Sequence, residues 1–221
     1  MGAHNAMIIS PLIRIMLVDD HAVVRAGIKR LLEQESRFTV IAEADSGESA
    51  YVLFGEFLPD ICVIDISMPG MGGLEAIKKI IARYPSAKLL VLSMHENAAF
   101  ANQAIKTGAK GYLAKNGLAE ELINALESVI KNQLYVNANI AKKIAVESQT
   151  KQQDLLHQLT AREFEIFRML CEGVEINQIA QLLNISIKTV ANYQTTLKQK
   201  LGIHNTVEMV RLAIRCGLIE G

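Results

Sequence analysis

Residues 13–131 alternate short apolar runs with longer amphipathic segments, and this alternation limits the fold more than any other feature. The apolar runs cover residues 13–18, 38–42, 61–64, 88–93 and 111–115. The segments with helical spacing cover residues 23–32, 47–57, 73–84, 98–107 and 118–131. Strands that alternate with helices join through right-handed crossovers, which place helices on both faces of a parallel sheet. We therefore expect a doubly wound α/β fold with five parallel strands.

Composition excludes several classes of protein. Hydrophobic residues make up 50% of the 221 residues, so the chain can bury a large core and is not a disordered protein. No apolar run is long enough to cross a membrane, and the three cysteines lack the spacing of metal ligands. We expect a cytoplasmic protein with reduced thiols and no membrane partner. Residues 1–11 resemble a terminal extension or tag and are left out of the fold prediction.

The stretch of residues 60–73 places a carboxylate at the end of the third predicted strand. Asp65 follows the apolar run, and a turn with Pro69 and three glycines comes directly after it. The carboxyl ends of strands in open parallel sheets are where ligands bind, so Asp65 is a candidate functional residue. Taken alone, an aspartate at this point could equally begin a turn or cap the next helix.

Four more polar side chains follow other predicted strands and meet Asp65 at the same edge of the sheet. Asp19 and Asp20 follow the first strand, Ser93 ends the fourth, and Lys115 ends the fifth. Crowded carboxylates repel each other, so a hard divalent cation that neutralises them is expected. Mg²⁺ fits this oxygen-rich set, with Asp20 and Asp65 as direct ligands and Asp19 holding a bound water.

This group of residues predicts phosphoryl chemistry. With Mg²⁺ present, the Asp65 carboxylate can attack a phosphoryl group as a nucleophile. Lys115 would then pair with the phosphate, and Ser93 would donate a hydrogen bond to it. Each residue has an ordinary explanation in isolation: a helix cap, a solvated charge or a strand-end hydroxyl. Convergence at one sheet edge favours the functional interpretation.

Residues 13–131 resemble a response-regulator receiver domain. The resemblance rests on Asp19-Asp20-His, on the run from Asp65 to Gly73, on Ser93, and on the stretch that ends at Lys115. It implies that a sensor histidine kinase phosphorylates Asp65 and that the Ser67 backbone carbonyl joins the Mg²⁺ ligands. It also implies a switch pair, in which the Ser93 hydroxyl moves toward the phosphate and the Tyr112 ring turns inward behind it.

The strand–helix alternation stops after residue 131. Asparagine and glutamine dominate the following residues, so we expect a linker over residues 132–156. Within it, residues 140–146 predict a short helical piece, and residues 147–153 are polar enough to be flexible. The predicted domains are therefore residues 12–131, a linker of residues 132–156, and a C-terminal domain of residues 157–221.

The C-terminal residues predict a small all-α domain with a helix-turn-helix. Thr160 and Glu163 form the pattern of a capping box before a first helix. A second helix over residues 176–183 breaks at Asn184, and Ser186 can cap a third helix over residues 187–201. Two helices joined by a tight turn are typical of helix-turn-helix DNA binding.

The third of these helices has two different faces. One face carries an apolar stripe, and the other carries Lys188, Asn192 and Thr195. Residues 187–201 include three lysines and no acidic residue, and residues 131–221 carry 11 basic and 8 acidic side chains against 12 and 15 in residues 1–130. Lys188, Lys198 and Lys200 suit phosphate contacts, and Asn192 suits an adenine edge in the major groove of double-stranded DNA. A small helical bundle with a solvated basic face explains the same periodicity equally well.

A second resemblance favours DNA binding. Residues 159–163, Lys188-Thr189-Val190, Lys200-Leu-Gly202 and residues 213–218 resemble the four-helix LuxR-type DNA-binding domain. With the receiver, this is the NarL/FixJ architecture, and residues 188–193 and 211–217 are most similar to its GacA/UvrY branch. The resemblance implies that Thr189 also lies at the DNA and that the last helix, over residues 207–216, pairs two copies into a homodimer on a two-fold site.

The leading hypothesis is a transcription factor in which phosphorylation of Asp65 controls sequence-specific DNA binding. One alternative is a phosphorylation-independent DNA binder whose receiver serves only as an interaction module. Another is a phosphotransferase or phosphatase, which would need a second acid or base beside Asp65. The position two residues further on is Ser67, so we expect no enzyme beyond phosphoryl acceptance and slow self-dephosphorylation.

Overall fold

The computed structural model describes residues 12–116, 118–147 and 153–219. Six parallel strands form one sheet in the order β2-β1-β3-β4-β5-β6. The strands are β1 (Ile13–Val18), β2 (Phe38–Ala44), β3 (Ile61–Asp65), β4 (Leu89–Ser93), β5 (Gly111–Ala114) and β6 (Tyr135–Val136). The helices between them are α1 (Ala22–Glu33), α2 (Gly47–Phe57), α3 (Gly73–Arg83), α4 (Ala98–Thr107) and α5 (Leu118–Ile130). The predicted doubly wound α/β fold is confirmed.

Alternate residues of the central strands pack on opposite faces of the sheet. In β1, Ile15 and Leu17 join the cluster that includes α1 and α5, whereas Met16 and Val18 join the cluster with α2, α3 and α4. Every residue of β3 is buried, as expected for a strand covered by helices on both faces. Covering both faces leaves the strand ends as the place where polar side chains can meet.

The strand count differs from the sequence prediction. A sixth strand, β6, pairs in parallel with β5, so that Tyr135 lies opposite Gly111 and Val136 opposite Tyr112. The prediction of five strands was wrong because this strand has only two residues and lies among polar residues assigned to the linker. Its backbone completes hydrogen bonds at an edge that β5 would otherwise leave open.

Six further helices follow the sheet in the described residues. They are α6 (Ala138–Glu147), α7 (Gln153–His157), α8 (Ala161–Cys171), α9 (Ile176–Leu182), α10 (Ile187–Leu201) and α11 (Thr206–Arg215), of which α6 precedes the compact group formed by the rest. The short helix expected over residues 140–146 is present as α6. The flexibility expected for residues 147–153 falls largely outside the described residues, as does the proposed extension of residues 1–11.

Local sequence signals account for where the later helices begin and end. The capping box before α8 is confirmed: the Thr160 hydroxyl accepts a hydrogen bond from the Glu163 amide, and Glu163 accepts one from the Thr160 amide. The Ser186 hydroxyl accepts from the Thr189 amide and begins α10. Gly202 ends α10 in the left-handed conformation, with φ of 65°.

The helical part, α7 to α11, packs directly on the sheet-bearing α/β part. One contiguous buried cluster contains Phe100 of α4 and Phe164 of α8. Arg162 Nη1 donates a hydrogen bond to the Gly70 carbonyl at 3.0 Å, and the Gly70 amide donates to the Leu182 carbonyl at 2.7 Å. The loop that follows Asp65 therefore touches both α8 and the end of α9.

Candidate acidic site and nucleic-acid surface

Asp65 lies at the carboxyl end of β3 with a lysine directly beside it. Lys115 Nζ is 2.7 Å from Asp65 Oδ2 and also 2.7 Å from Asp19 Oδ2. Both aspartates are 2% exposed, so their charges are held where water screens little. The structure thus brings together Asp19, Asp65 and Lys115 as the sequence predicted, and their roles stay predictions.

The Lys115 ammonium group is held in its charged form by this arrangement. Burial alone would lower the pKa of Lys115, but the hydrogen bonds and negative charges of Asp19 and Asp65 outweigh burial and raise it. The lysine is therefore a permanent positive charge beside the candidate phosphoryl acceptor at physiological pH. A group with this charge and reach can pair with an oxygen of an added phosphate.

The acidic group at the carboxyl ends of β1 and β3 suits a divalent cation. Ligand atoms of Asp19, Asp20, His21 and Asp65 all lie within 4.8 Å of one another. The buried Oδ1 of Asp20 accepts no hydrogen bond of acceptable geometry, although His21 Nδ1 lies 2.9 Å away. A buried carboxylate oxygen that accepts no well-aligned hydrogen bond fits a site whose ligand is a cation. The acidic pocket is therefore compatible with divalent metal binding.

Two backbone features shape the loop after Asp65. The Ser67 amide donates a hydrogen bond of 3.0 Å to Asp65 Oδ1, which fixes the carboxylate orientation. Gly73 begins α3 so close to β3 that a Cβ atom there would collide with the Asp65 carbonyl oxygen. The tight turn therefore requires glycine at this position. The role of the Ser67 carbonyl as a metal ligand stays a prediction.

The predicted switch residues are both buried at the ends of their strands. Ser93 Oγ accepts a hydrogen bond from the His95 amide at 3.0 Å, and the Tyr112 hydroxyl donates to the His95 carbonyl at 2.7 Å. Burial raises the pKa of Tyr112, so its hydroxyl stays protonated and able to donate. The Tyr112 ring is fully buried in this conformation, and both predicted switch residues bind His95.

Helix α10 presents the polar face that the sequence indicated. Val190, Leu197 and Leu201 are buried, whereas Lys188 and Asn192 are exposed. Thr195 is also exposed, although its hydroxyl donates to the Ala191 carbonyl within the helix. The exposed face is free of acidic side chains and can approach a polyanion.

Two of the predicted DNA contacts have other partners in this conformation. Lys200 Nζ lies 2.8 Å from Glu163, the residue that completes the capping box of α8. The Thr189 hydroxyl pairs with the Ser186 hydroxyl at 2.8 Å at the start of α10. Lys198 is half-buried. A phosphate contact by Lys200 would compete with its ion pair.

Helix α11 buries one face and leaves part of the other uncovered. Met209, Leu212 and Ala213 are buried against the helical core. Val207 is 60% exposed and Ile214 is 40% exposed. Exposed apolar side chains on the predicted dimer helix are compatible with pairing of two copies, which stays a prediction.

Three residues near these sites were assigned no role from the sequence. His21 lies within the acidic group, His95 joins the two switch residues, and Arg162 binds the loop after Asp65. The sequence signal for His21 was its place after Asp19-Asp20. His95 and Arg162 carry no spacing pattern, because their partners come from distant parts of the chain.

Family models agree with the two parts of the structure. The response regulator receiver domain matches residues 15–127, and the luxR family of bacterial regulatory proteins matches residues 157–213. A receiver followed by a LuxR-type helix-turn-helix defines the class of two-component response regulators that act in transcription. This chain belongs to the LuxR-type response regulator family, a family of DNA-binding transcription regulators.

Individual relatives match over nearly the whole chain. Response regulator UvrY of Escherichia coli K12 is 38% identical over 94% of this chain and 96% of its own length. Response regulator GacA of Pseudomonas aeruginosa is 35% identical, covering 95% of this chain and 99% of its own. RcsB of Salmonella enterica serovar Typhimurium, solved on the promoter rprA with the phosphomimetic BeF₃⁻, is 26% identical with a TM-score of 0.68, covering 91% of this chain and 98% of its own. Among the described helices, none has the length and apolar character needed to span a membrane.

Proposed function

We propose that phosphorylation of Asp65 controls binding of this transcription regulator to DNA. The observation that carries this proposal is the position of Lys115, 2.7 Å from both Asp19 and Asp65 at the carboxyl ends of the strands. Placing a buried carboxylate beside other carboxylates and one lysine is electrostatically costly, and such groupings are typical of functional sites. Acceptance of a phosphoryl group by Asp65, with a cation bound beside it, accounts for this arrangement.

The chain's own residues supply most of the chemistry. An Asp65 carboxylate oxygen attacks the phosphorus of a phosphohistidine on a sensor histidine kinase. The phosphorus–nitrogen bond breaks, and the imidazole leaves with the electron pair and takes a proton from solvent. Lys115 then pairs with a phosphate oxygen, and the Ser93 hydroxyl donates to another.

Mg²⁺ is the proposed cofactor. Asp20, Asp65 and the Ser67 carbonyl would hold the ion, and Asp19 would hold a water bound to it. When bound, Mg²⁺ offsets the negative charge that develops on the transferring phosphoryl oxygens. Neutral Ser67 occupies the position where a phosphatase would need a second acid or base, so the site accepts a phosphoryl group and loses it slowly to water without a separate substrate.

DNA binding is assigned to α10 and pairing to α11. Residues proposed to face double-stranded DNA are Lys188, Thr189, Asn192, Thr195, Lys198 and Lys200. The RcsB relative was solved bound to DNA, and another RcsB structure holds two dimers on two parallel DNAs, which supports a homodimer here. We place the domains at residues 12–131 and 157–221 with a linker between them, and the protein in the cytoplasm.

Replacing the acceptor tests the proposal. Acetyl phosphate with Mg²⁺ should phosphorylate the wild-type chain and raise its DNA affinity, and Asp65→Asn should abolish both effects. Asp60→Asn makes the same chemical change at an exposed residue directly before β3 and should leave both intact. Labelling that persists undiminished in Asp65→Asn would reject the site. Phosphorylation without any change in DNA affinity would instead favour a phosphorylation-independent DNA binder.

A further inference from the structure

His95 lies in the connection between β4 and α4, and both predicted switch residues hold its backbone. Its amide donates to Ser93 Oγ at 3.0 Å, and its carbonyl accepts from the Tyr112 hydroxyl at 2.7 Å. Ser93 and Tyr112 are both 0% exposed, so a movement of either side chain alters its hydrogen bond to the His95 backbone and the packing around it. The position of His95 therefore depends on the two side chains that sense the phosphate.

The side chain of His95 continues this contact toward the helical part. Its ring stacks on Phe100 of α4 with centroids 3.9 Å apart and planes inclined by 3°. Phe100 in turn meets Phe164 of α8 edge-on, at 5.3 Å and 87°. Burial, aided by the charge of Arg168, lowers the pKa of His95, so the stacked ring is neutral at pH 7.

The same helix carries the polar contacts that hold the helical part in place. Gln103 Nε2 donates to the Leu159 carbonyl at 3.2 Å, and Lys106 Nζ donates to the same carbonyl at 2.8 Å. Lys106 also donates to the His157 carbonyl. Helix α4 is therefore a shared support, and a change at its amino end reaches both the aromatic contact and these hydrogen bonds.

We propose that His95 is a positioning residue that couples the phosphorylation state of Asp65 to the packing of the helical part, acting through Phe100 and Phe164. This inference rests on the proposed function. When Ser93 Oγ turns toward a phosphoryl group on Asp65, its hydrogen bond to the His95 amide lengthens. The loop then shifts, the imidazole ring leaves Phe100, and the edge contact between Phe100 and Phe164 loosens. The helical part is released to pair and to bind DNA.

Substitutions at residue 95 separate a coupling role from simple filling of space. His95→Ala removes the ring, whereas His95→Phe keeps a flat ring on Phe100. Met94→Ala is the matched control, because Met94 is the preceding residue and is 63% exposed. Each full-length variant is compared for DNA affinity with and without beryllofluoride and Mg²⁺, and for the occupancy of Asp65 by beryllofluoride.

The expected pattern is specific to coupling. Allosteric couplings commonly change affinity about 5- to 150-fold, and we expect the wild-type chain, His95→Phe and Met94→Ala to respond within that range. His95→Ala should bind beryllofluoride as the wild type does. Its DNA affinity without beryllofluoride should already approach the activated level. The ratio of its DNA affinities with and without beryllofluoride should therefore fall close to one. A folded His95→Ala variant that shows the same affinity ratio as the wild-type chain overturns the proposal.

A second measurement does not depend on any variant at residue 95 being folded. The chain has six phenylalanines, so fluorophenylalanine labelling gives few fluorine resonances, assignable with single Phe→Tyr variants. Beryllofluoride with Mg²⁺ should shift the resonances of Phe100 and Phe164 in the wild-type chain. A changed DNA affinity with an unchanged Phe164 resonance overturns the coupling route alone. If beryllofluoride does not change the DNA affinity of the wild-type chain, both the proposed function and the coupling are rejected.

Discussion

Lys115 and Asp65 form an ion pair of 2.7 Å in which the lysine side chain is 9% exposed and the aspartate side chain is 2% exposed. The same ammonium group binds Asp19, so one positive charge serves two buried carboxylates. Stability and the proposed phosphorylation chemistry therefore share the same lysine, and supplying another cation should separate the two.

Lys115→Met should destabilise the protein in a way that Mg²⁺ reverses. Loss of the lysine leaves Asp19 and Asp65 facing each other, which we expect to lower the free energy of unfolding by about 3 kcal/mol. Millimolar Mg²⁺ should restore much of this loss, because the ion neutralises the carboxylates. Urea unfolding with and without Mg²⁺ measures both effects. Lys110→Met, at an exposed lysine, should change neither, and an equally stable Lys115→Met would contradict the prediction.

Closure of the two parts should depend on pH through Glu165 of α8. Burial raises the pKa of Glu165 from 4.5 to about 7, against the opposing charges of Arg162 and Arg168 and with a smaller raising effect from Glu75. When the parts separate, the carboxyl group meets water and its pKa returns toward 4.5. Protonation therefore favours the closed form, which should be most stable below pH 4.5 and lose stability as pH rises to about 7.

Small-angle scattering across this pH range measures the separation of the two parts. The radius of gyration should increase between pH 4.5 and 7 and then level off. Glu165→Gln should hold the closed form at every pH, because the amide carries no charge to desolvate. Glu175→Gln, at an exposed glutamate, should keep the wild-type profile. The same pH profile in Glu165→Gln would assign the effect to another group.

Lys188→Ala should weaken DNA binding in a way that depends on salt. Lys188 lies exposed in the first turn of α10 and is assigned a phosphate contact. Losing one such contact should reduce the slope of log affinity against log salt by about 1. Fluorescence anisotropy over a series of KCl concentrations measures the slope. Lys142→Ala, an exposed lysine on α6, should leave it unchanged, and a parallel shift for Lys188→Ala would argue against a phosphate contact.

The capping box before α8 should contribute measurably to stability. Thr160→Ala removes the acceptor for the Glu163 amide and should cost about 1 kcal/mol of unfolding free energy. Thr160→Ser retains the hydroxyl and should restore most of the loss. Thermal and urea unfolding of the three proteins provide the comparison, and equal stability of Thr160→Ala and Thr160→Ser would show that the cap contributes little.

Sequence periodicity was enough to predict five of the six strands and the grouping of Asp19, Asp65 and Lys115. Parallel strands share one carboxyl edge, so residues at strand ends meet whatever the sequence distance between them. The buried stripe of α10 could also be predicted, because helical spacing fixes which side chains share a face.

Contacts between the two parts could not be predicted in this way. Phe100 and Phe164 each read as ordinary core residues, and nothing in their spacing shows that they face each other. The hydrogen bond from Arg162 to the Gly70 carbonyl joins residues 92 positions apart through a backbone atom that any residue type would supply. Such contacts depend on how complete elements dock, which local propensity does not encode.

The short strand β6 restricts how two copies of this chain can associate. Strand β5 would otherwise offer a row of unpaired backbone groups, the template on which a second chain adds a strand. Tyr135 and Val136 occupy that edge beside Gly111 and Tyr112. A second chain therefore cannot add a strand to β5 beside Gly111 and Tyr112 without displacing β6.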